Sequence, residues 1–183
     1  LNYWNRLPMK ELFANQKAFL EYIVEYREKM TEYAEHARET IASAENNLQL
    51  KSKCEQNIQT AMRFYVKCLD IAKAIEKIDK EGIVTGILYE TVLDICTKCF
   101  EVLQTIGKAE EAYLKNVIIT HDFCVRYYID RDKALKALPY VKEELEYAQK
   151  YVREYDLISS HVMCLEAYSR MMVVAMKLKQ NSY

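Results

Sequence analysis

A chain of 183 residues can bury a sizeable core within one domain, so it needs no disulfide or structural metal to hold it together. Hydrophobic residues make up 51% and charged residues 29%, and 26 Lys and Arg against 27 Asp and Glu leave a formal charge of -1, which argues against nucleic-acid binding by this segment. Membrane spanning is excluded too: no run approaches roughly 18 unbroken apolar residues, and even Val162 to Leu178 is broken by Glu166, Arg170 and Lys177.

Between Met9 and Glu81 there is neither glycine nor proline, and the whole chain holds only Gly82, Gly86, Gly107, Pro8 and Pro139. These residues interrupt regular backbone most strongly, so their scarcity predicts an all-α protein of long helices. The first helical stretch covers Met9 to Asn47, with Leu12, Phe13, Phe19, Leu20, Ile23, Val24 and Met30 along one face. Thr31 offers a cap for a second helix carrying Tyr33, Ala34, Ala37, Ile41 and Ala44, so the stretch reads as one helix or two.

Asn46 and Asn47 end that pattern, and Ser52 with Glu55 reads as a capping box opening a helix over Lys53 to Asp79. Gly82 and Gly86 separate it from a third helix that ends near Thr105. Gly107 supplies the next turn, and Ala109 to Ile129 forms a fourth. Asp130, Arg131 and Asp132 begin a fifth that reaches about Tyr155, and Pro139 inside it predicts a kink or a late start near Ala137. Asp156 to Ser160 is a polar joint, after which a last helix runs to about Lys179, with Asn181, Ser182 and Tyr183 beyond it. Short turns make sequential helices antiparallel neighbours, which either close into a bundle or stack pair upon pair. The chain opens on Leu1, so residues 1–183 read as a single all-helical domain taken from a longer protein.

The segment from Asp132 to Ala148 resembles the second-helix pattern of tetratricopeptide repeats, with Ala137 at the small position, Val141 and Leu145 after it, and Tyr128 where the family's first-helix tyrosine falls. Similar runs occur at Tyr65, Ala74 and Ile78, at Phe100, Ala109 and Tyr113, and in part at Ala37, Ile41 and Ala44. Met62, Thr97 and Val125 stand where the family has a small residue, and its closing proline is missing. The resemblance implies a right-handed superhelix of antiparallel helical hairpins, with a closed up-and-down bundle as the alternative. It also implies a groove lined by first helices, onto which Gln59, Arg63, Asp122 and Arg126 would face, the arginines being suited to a carboxylate or carbonyl on a peptide.

Six cysteines lie at uneven spacings within helical pattern, which favours a reducing, cytoplasmic setting and buried thiols. Cys96 and Cys99 form the sharpest local motif, and His121 and Cys124 are the candidates to complete a zinc site. A hairpin turning at Ile106 and Gly107 sets Cys96 level with Val117 and Cys99 level with Leu114, which leaves His121 several residues out of register. His36, flanked by Glu32 and Glu39, reads as a surface ion pair. Of the 15 tyrosines, Tyr22, Tyr26 and Tyr33 share one helix face, as do Tyr147, Tyr151 and Tyr155, placing apolar rings at a core margin with polar tips. Met171, Met172 and Met176 serve either the core or an adaptable binding surface.

No phosphate loop, nucleophile elbow or dinucleotide-binding glycine loop is present in the sequence. The expected function is therefore non-catalytic: a regulatory or scaffold domain binding a peptide or protein, with homodimerisation as a further option and no cofactor or metal. A bundle for dimerisation or signal relay is the alternative, and an enzyme or metal-binding protein ranks third.

Overall fold

Apolar residues recurring every three or four positions wind into helices whose stripes must find one another, and here they do so in chain order. The computed structural model describes residues 16–79 and 85–182. Six helices account for nearly all of them: α1 (Gln16–Glu45), α2 (Lys51–Ile78), α3 (Thr85–Thr105), α4 (Glu111–Asp130), α5 (Ala134–Tyr155) and α6 (Ile158–Asn181). No strand occurs among the described residues. Met9, Leu12, Phe13, the Phe19 side chain, Gly82 and Tyr183 lie outside what is described.

Each helix packs on the next as an antiparallel hairpin, α1 also reaches α3, and α4 reaches α6. One buried cluster runs through the whole row, from Tyr26 and Met30 in α1 to Ala167 and Val174 in α6. Tight turns carry the connections that follow α3, α4 and α5. Gly107 adopts φ +71°, where its missing Cβ avoids a clash, and Asp132 and Asp156 take the same left-handed region at φ 55° and 35°.

Several tyrosines pin neighbouring helices together. Tyr89 in α3 donates to Glu76 in α2, Tyr128 in α4 donates to Glu90 in α3 at 2.5 Å, and Tyr151 in α5 donates to Glu111 in α4. At each of these junctions a ring from one helix is buried while its hydroxyl reaches a carboxylate of the helix before it, so apolar area and polar satisfaction come from one side chain. Tyr65 and Thr120 add a buried hydroxyl pair at 2.7 Å between α2 and α4.

Gly86 makes one of these junctions possible. It lies inside α3 rather than in a turn, and a Cβ there would stand 3.0 Å from both Tyr127 Cε1 and Tyr128 Oη. A side chain at this position would have to displace both tyrosines by a few tenths of an ångström, so glycine suits the close approach of α4 to the start of α3.

The structure corrects one expected helix boundary, at Ser52, and decides two points that the sequence left open. Thr31 does not begin a new helix: its hydroxyl donates to the Arg27 carbonyl at 2.8 Å, and α1 runs through unbroken. Ser52 is no cap, because α2 already starts at Lys51 and the Cys54 amide donates to Leu50 O at 2.9 Å, which places the serine inside the first turn. Pro139 does not delay α5, which begins at Ala134. At this early position the proline's missing N–H deprives only the carbonyl of Leu135, an exposed residue.

Candidate functional site

A network of buried and half-buried charges lies where α4, α5 and α6 meet. Arg170 of α6 donates from Nε to Glu144 of α5 at 2.9 and 3.2 Å and from Nη2 to the same carboxylate. Its Nε also lies 2.9 Å from Asp122 Oδ1 of α4, although the proton is directed at Glu144. Asp122 Oδ1, shielded from solvent, thus receives the charge of Arg170 without a hydrogen bond. Arg126 closes the seam from outside at 2.9 Å from Asp122 Oδ2.

Burial governs these groups. It pushes the Glu144 carboxyl up to about 7 against the pull of Arg170, and it raises Asp122 against Arg170 and Arg126. For Arg170 desolvation opposes the charge, yet its bonds to Glu144 and its proximity to Asp122 win, and the guanidinium is held more firmly protonated than usual. Two carboxylates and two guanidiniums therefore form a closed, nearly balanced set that joins three helices.

Next to this seam, α6 is apolar on two opposite sides. Ser160, Ala167 and Val174 face inward and are fully buried. The other side carries Ile158, Leu165, Met172 and Met176 at 86, 68, 64 and 59% exposure, with Val162 and Val173 beside them. A shallow groove on this side is lined by Val162, Leu165, Glu166, Ser169, Arg170 and Val173. A helix that is greasy on both sides is matched to a second layer of protein.

Of the four residues expected in a groove, Asp122 and Arg126 come together within the charged seam. Gln59 and Arg63 lie one turn apart on the exposed side of α2 and take no part in it. Arg170 and Glu144 were missed. Both carried a signal: Arg170 interrupts the most hydrophobic stretch of the chain, and Glu144 lies three residues after Val141 and four before Ala148, on the buried face of α5.

All six cysteines are free thiols. Burial pushes Cys68 and Cys96 up to about 12 and raises Cys99 and Cys124 as well, so these thiols resist forming the thiolate needed for nucleophilic or ligand chemistry. Among the described residues no group of three or more His, Cys, Asp or Glu side chains is arranged to hold a metal ion. His121 is buried, with Nδ1 2.8 Å from Val117 O and Nε2 3.0 Å from Glu143 Oε2. Both contacts are hydrogen bonds at once only when both nitrogens carry protons. His36 lies between Glu32 and Glu39, at 4.0 and 3.8 Å, and stacks on Phe64 of α2 with ring centroids 5.4 Å apart.

The tyrosine faces are core margins: Tyr26 and Tyr151 are buried, while Tyr22, Tyr33, Tyr147 and Tyr155 are half-buried. The methionines divide, with Met171 packed against the core and Met172 and Met176 facing out. No described helix is long and apolar enough to cross a membrane.

No protein-family model, curated protein or solved structure matches the chain.

Proposed function

We propose that this chain is a non-catalytic protein- or peptide-binding domain of a larger cytoplasmic protein, with a regulatory or scaffolding role built on a tetratricopeptide-like helical array. The observation that carries the reading is the outer side of α6, where large aliphatic and methionine side chains stand exposed in one continuous stripe. Soluble proteins seldom leave contiguous apolar patches of more than a few hundred Å² uncovered, and those that remain mark interaction sites. The charged seam behind the stripe supports the same reading, since it fixes α6 on the array by paired charges and leaves the outer side free for other work. The buried thiols weigh against nucleophilic catalysis. Gln59 and Arg63, exposed on α2, are the polar residues available to a peptide lying along the array.

Affinity capture from the source cells with the wild-type chain and with a Leu165→Glu/Met172→Glu variant tests this reading. Wild type is expected to retain a protein that the variant loses, and the purified pair should bind at least tenfold more weakly when the variant is used. Equal retention by both forms of a folded chain would remove α6 as the binding surface.

A further inference from the structure

On the outer side of α6, Ile158, Val162, Leu165, Ser169, Met172 and Met176 follow one another at intervals of four, three, four, three and four residues. That is the spacing of a coiled-coil seam, the periodicity by which one helix packs along another. We infer that α6 pairs through this seam with α6 of a second copy of the chain, antiparallel about a two-fold axis near Ala167. The inference rests on the interaction reading above and names its partner.

The seam is matched to its own reverse. Turned about Ala167, Ile158 meets Met176 of the second copy, Val162 meets Met172, and Leu165 meets Ser169, so every layer of the seam pairs uncharged side chains, while Glu166 and Arg170 flank it beside the axis. An isologous contact needs this self-complementarity. The stripe, with Val173 beside it, holds most of the large apolar side chains that α6 leaves exposed, and an interface of standard size draws about 800 Å² from each partner.

Charge selects the direction. Lys179 lies exposed in the last turn of α6, and Asp156, exposed and holding His161 at 2.7 Å, caps the end of α5 one residue before Leu157, the N-cap of α6. Lys177 is turned to Asp132 of its own chain at 4.0 Å and takes no part. Antiparallel pairing brings Lys179 of one copy level with Asp156 of the other and opposes the two helix dipoles. Parallel pairing would set Lys179 against Lys179 and Asp156 against Asp156.

Disulfide trapping reads the arrangement directly. A Cys164→Ser background removes the one thiol that is not buried, and Ile158→Cys and Met176→Cys are then made in separate copies. Mixing the two under mild oxidation should give the mixed disulfide dimer in high yield. Ile158→Cys alone should give little, because in the antiparallel pair those positions stand about 27 Å apart along the helix at 1.5 Å per residue. Abundant Ile158→Cys homodimers would overturn the antiparallel arrangement. Sedimentation equilibrium of the unmodified chain guards against misfolded variants: a monomer at ~100 µM, far above typical specific affinities, overturns self-pairing altogether. A monomer that still loses a captured protein on Leu165→Glu/Met172→Glu substitution would refute the second-copy partner and leave the interaction reading standing.

Discussion

Glu144 occupies a position where the pattern of α5 calls for an apolar side chain, and it is tolerated there because Arg170 reaches it from α6 with two nitrogens. The same guanidinium lies against Asp122, so removing any member leaves a buried charge without its counterpart. Glu144 carries a pH signature. Burial raises its carboxyl from an ordinary value near 4.5 to about 7, so between those limits the folded chain binds a proton that the unfolded chain has released. Stability from this group is complete below about 4.5 and is lost as pH rises through about 7. Urea midpoints measured across this window should fall for the wild type and stay flatter for Glu144→Gln, the two differing by about 2–3 kcal/mol over the range. Identical slopes would mean that Glu144 stays ionised throughout, held by Arg170 more strongly than burial opposes it.

At the scale of the helices, the tightest constraint is Gly86. Replacing it with alanine favours helix formation in isolation, but the added Cβ would lie 3.0 Å from two buried tyrosine side chains. Gly86→Ala should lower stability by about 1 kcal/mol or more, read from chemical denaturation. A neutral or stabilising result would show that Tyr127 and Tyr128 yield readily and that this junction is loosely packed. The helices themselves were legible in the sequence, because a 3.6-residue period and a shortage of glycine and proline belong to the chain alone. The ends at Thr105 and Tyr155 lie where the pattern puts them. Ser52 misled, and Thr31 left the choice between one helix and two open, because a hydroxyl caps only where the backbone has left the helix, and neighbouring residues decide that. The pins from Tyr89 to Glu76 and from Tyr128 to Glu90 were not legible, since they depend on how the helices slide against one another. Asp122 and Arg126 were named as candidates, yet their joint role emerges only when Arg170, 44 positions beyond Arg126, is folded back onto them.

For the whole molecule, the row of hairpins has one consequence that outweighs the rest: α6 is covered by α5 and α4 on one side and carries a coiled-coil seam on the other. If two copies join along that seam, folding and association are linked, because only the folded chain presents it. The most direct test is the urea midpoint of the wild type at two protein concentrations a hundredfold apart, beside Leu165→Glu measured in the same way. The wild-type midpoint should rise with concentration, by roughly 1–3 kcal/mol of apparent stability, while Leu165→Glu should show no shift and match the dilute wild type. A wild-type midpoint that is independent of concentration, or a Leu165→Glu chain that is severely destabilised when dilute, would contradict the account.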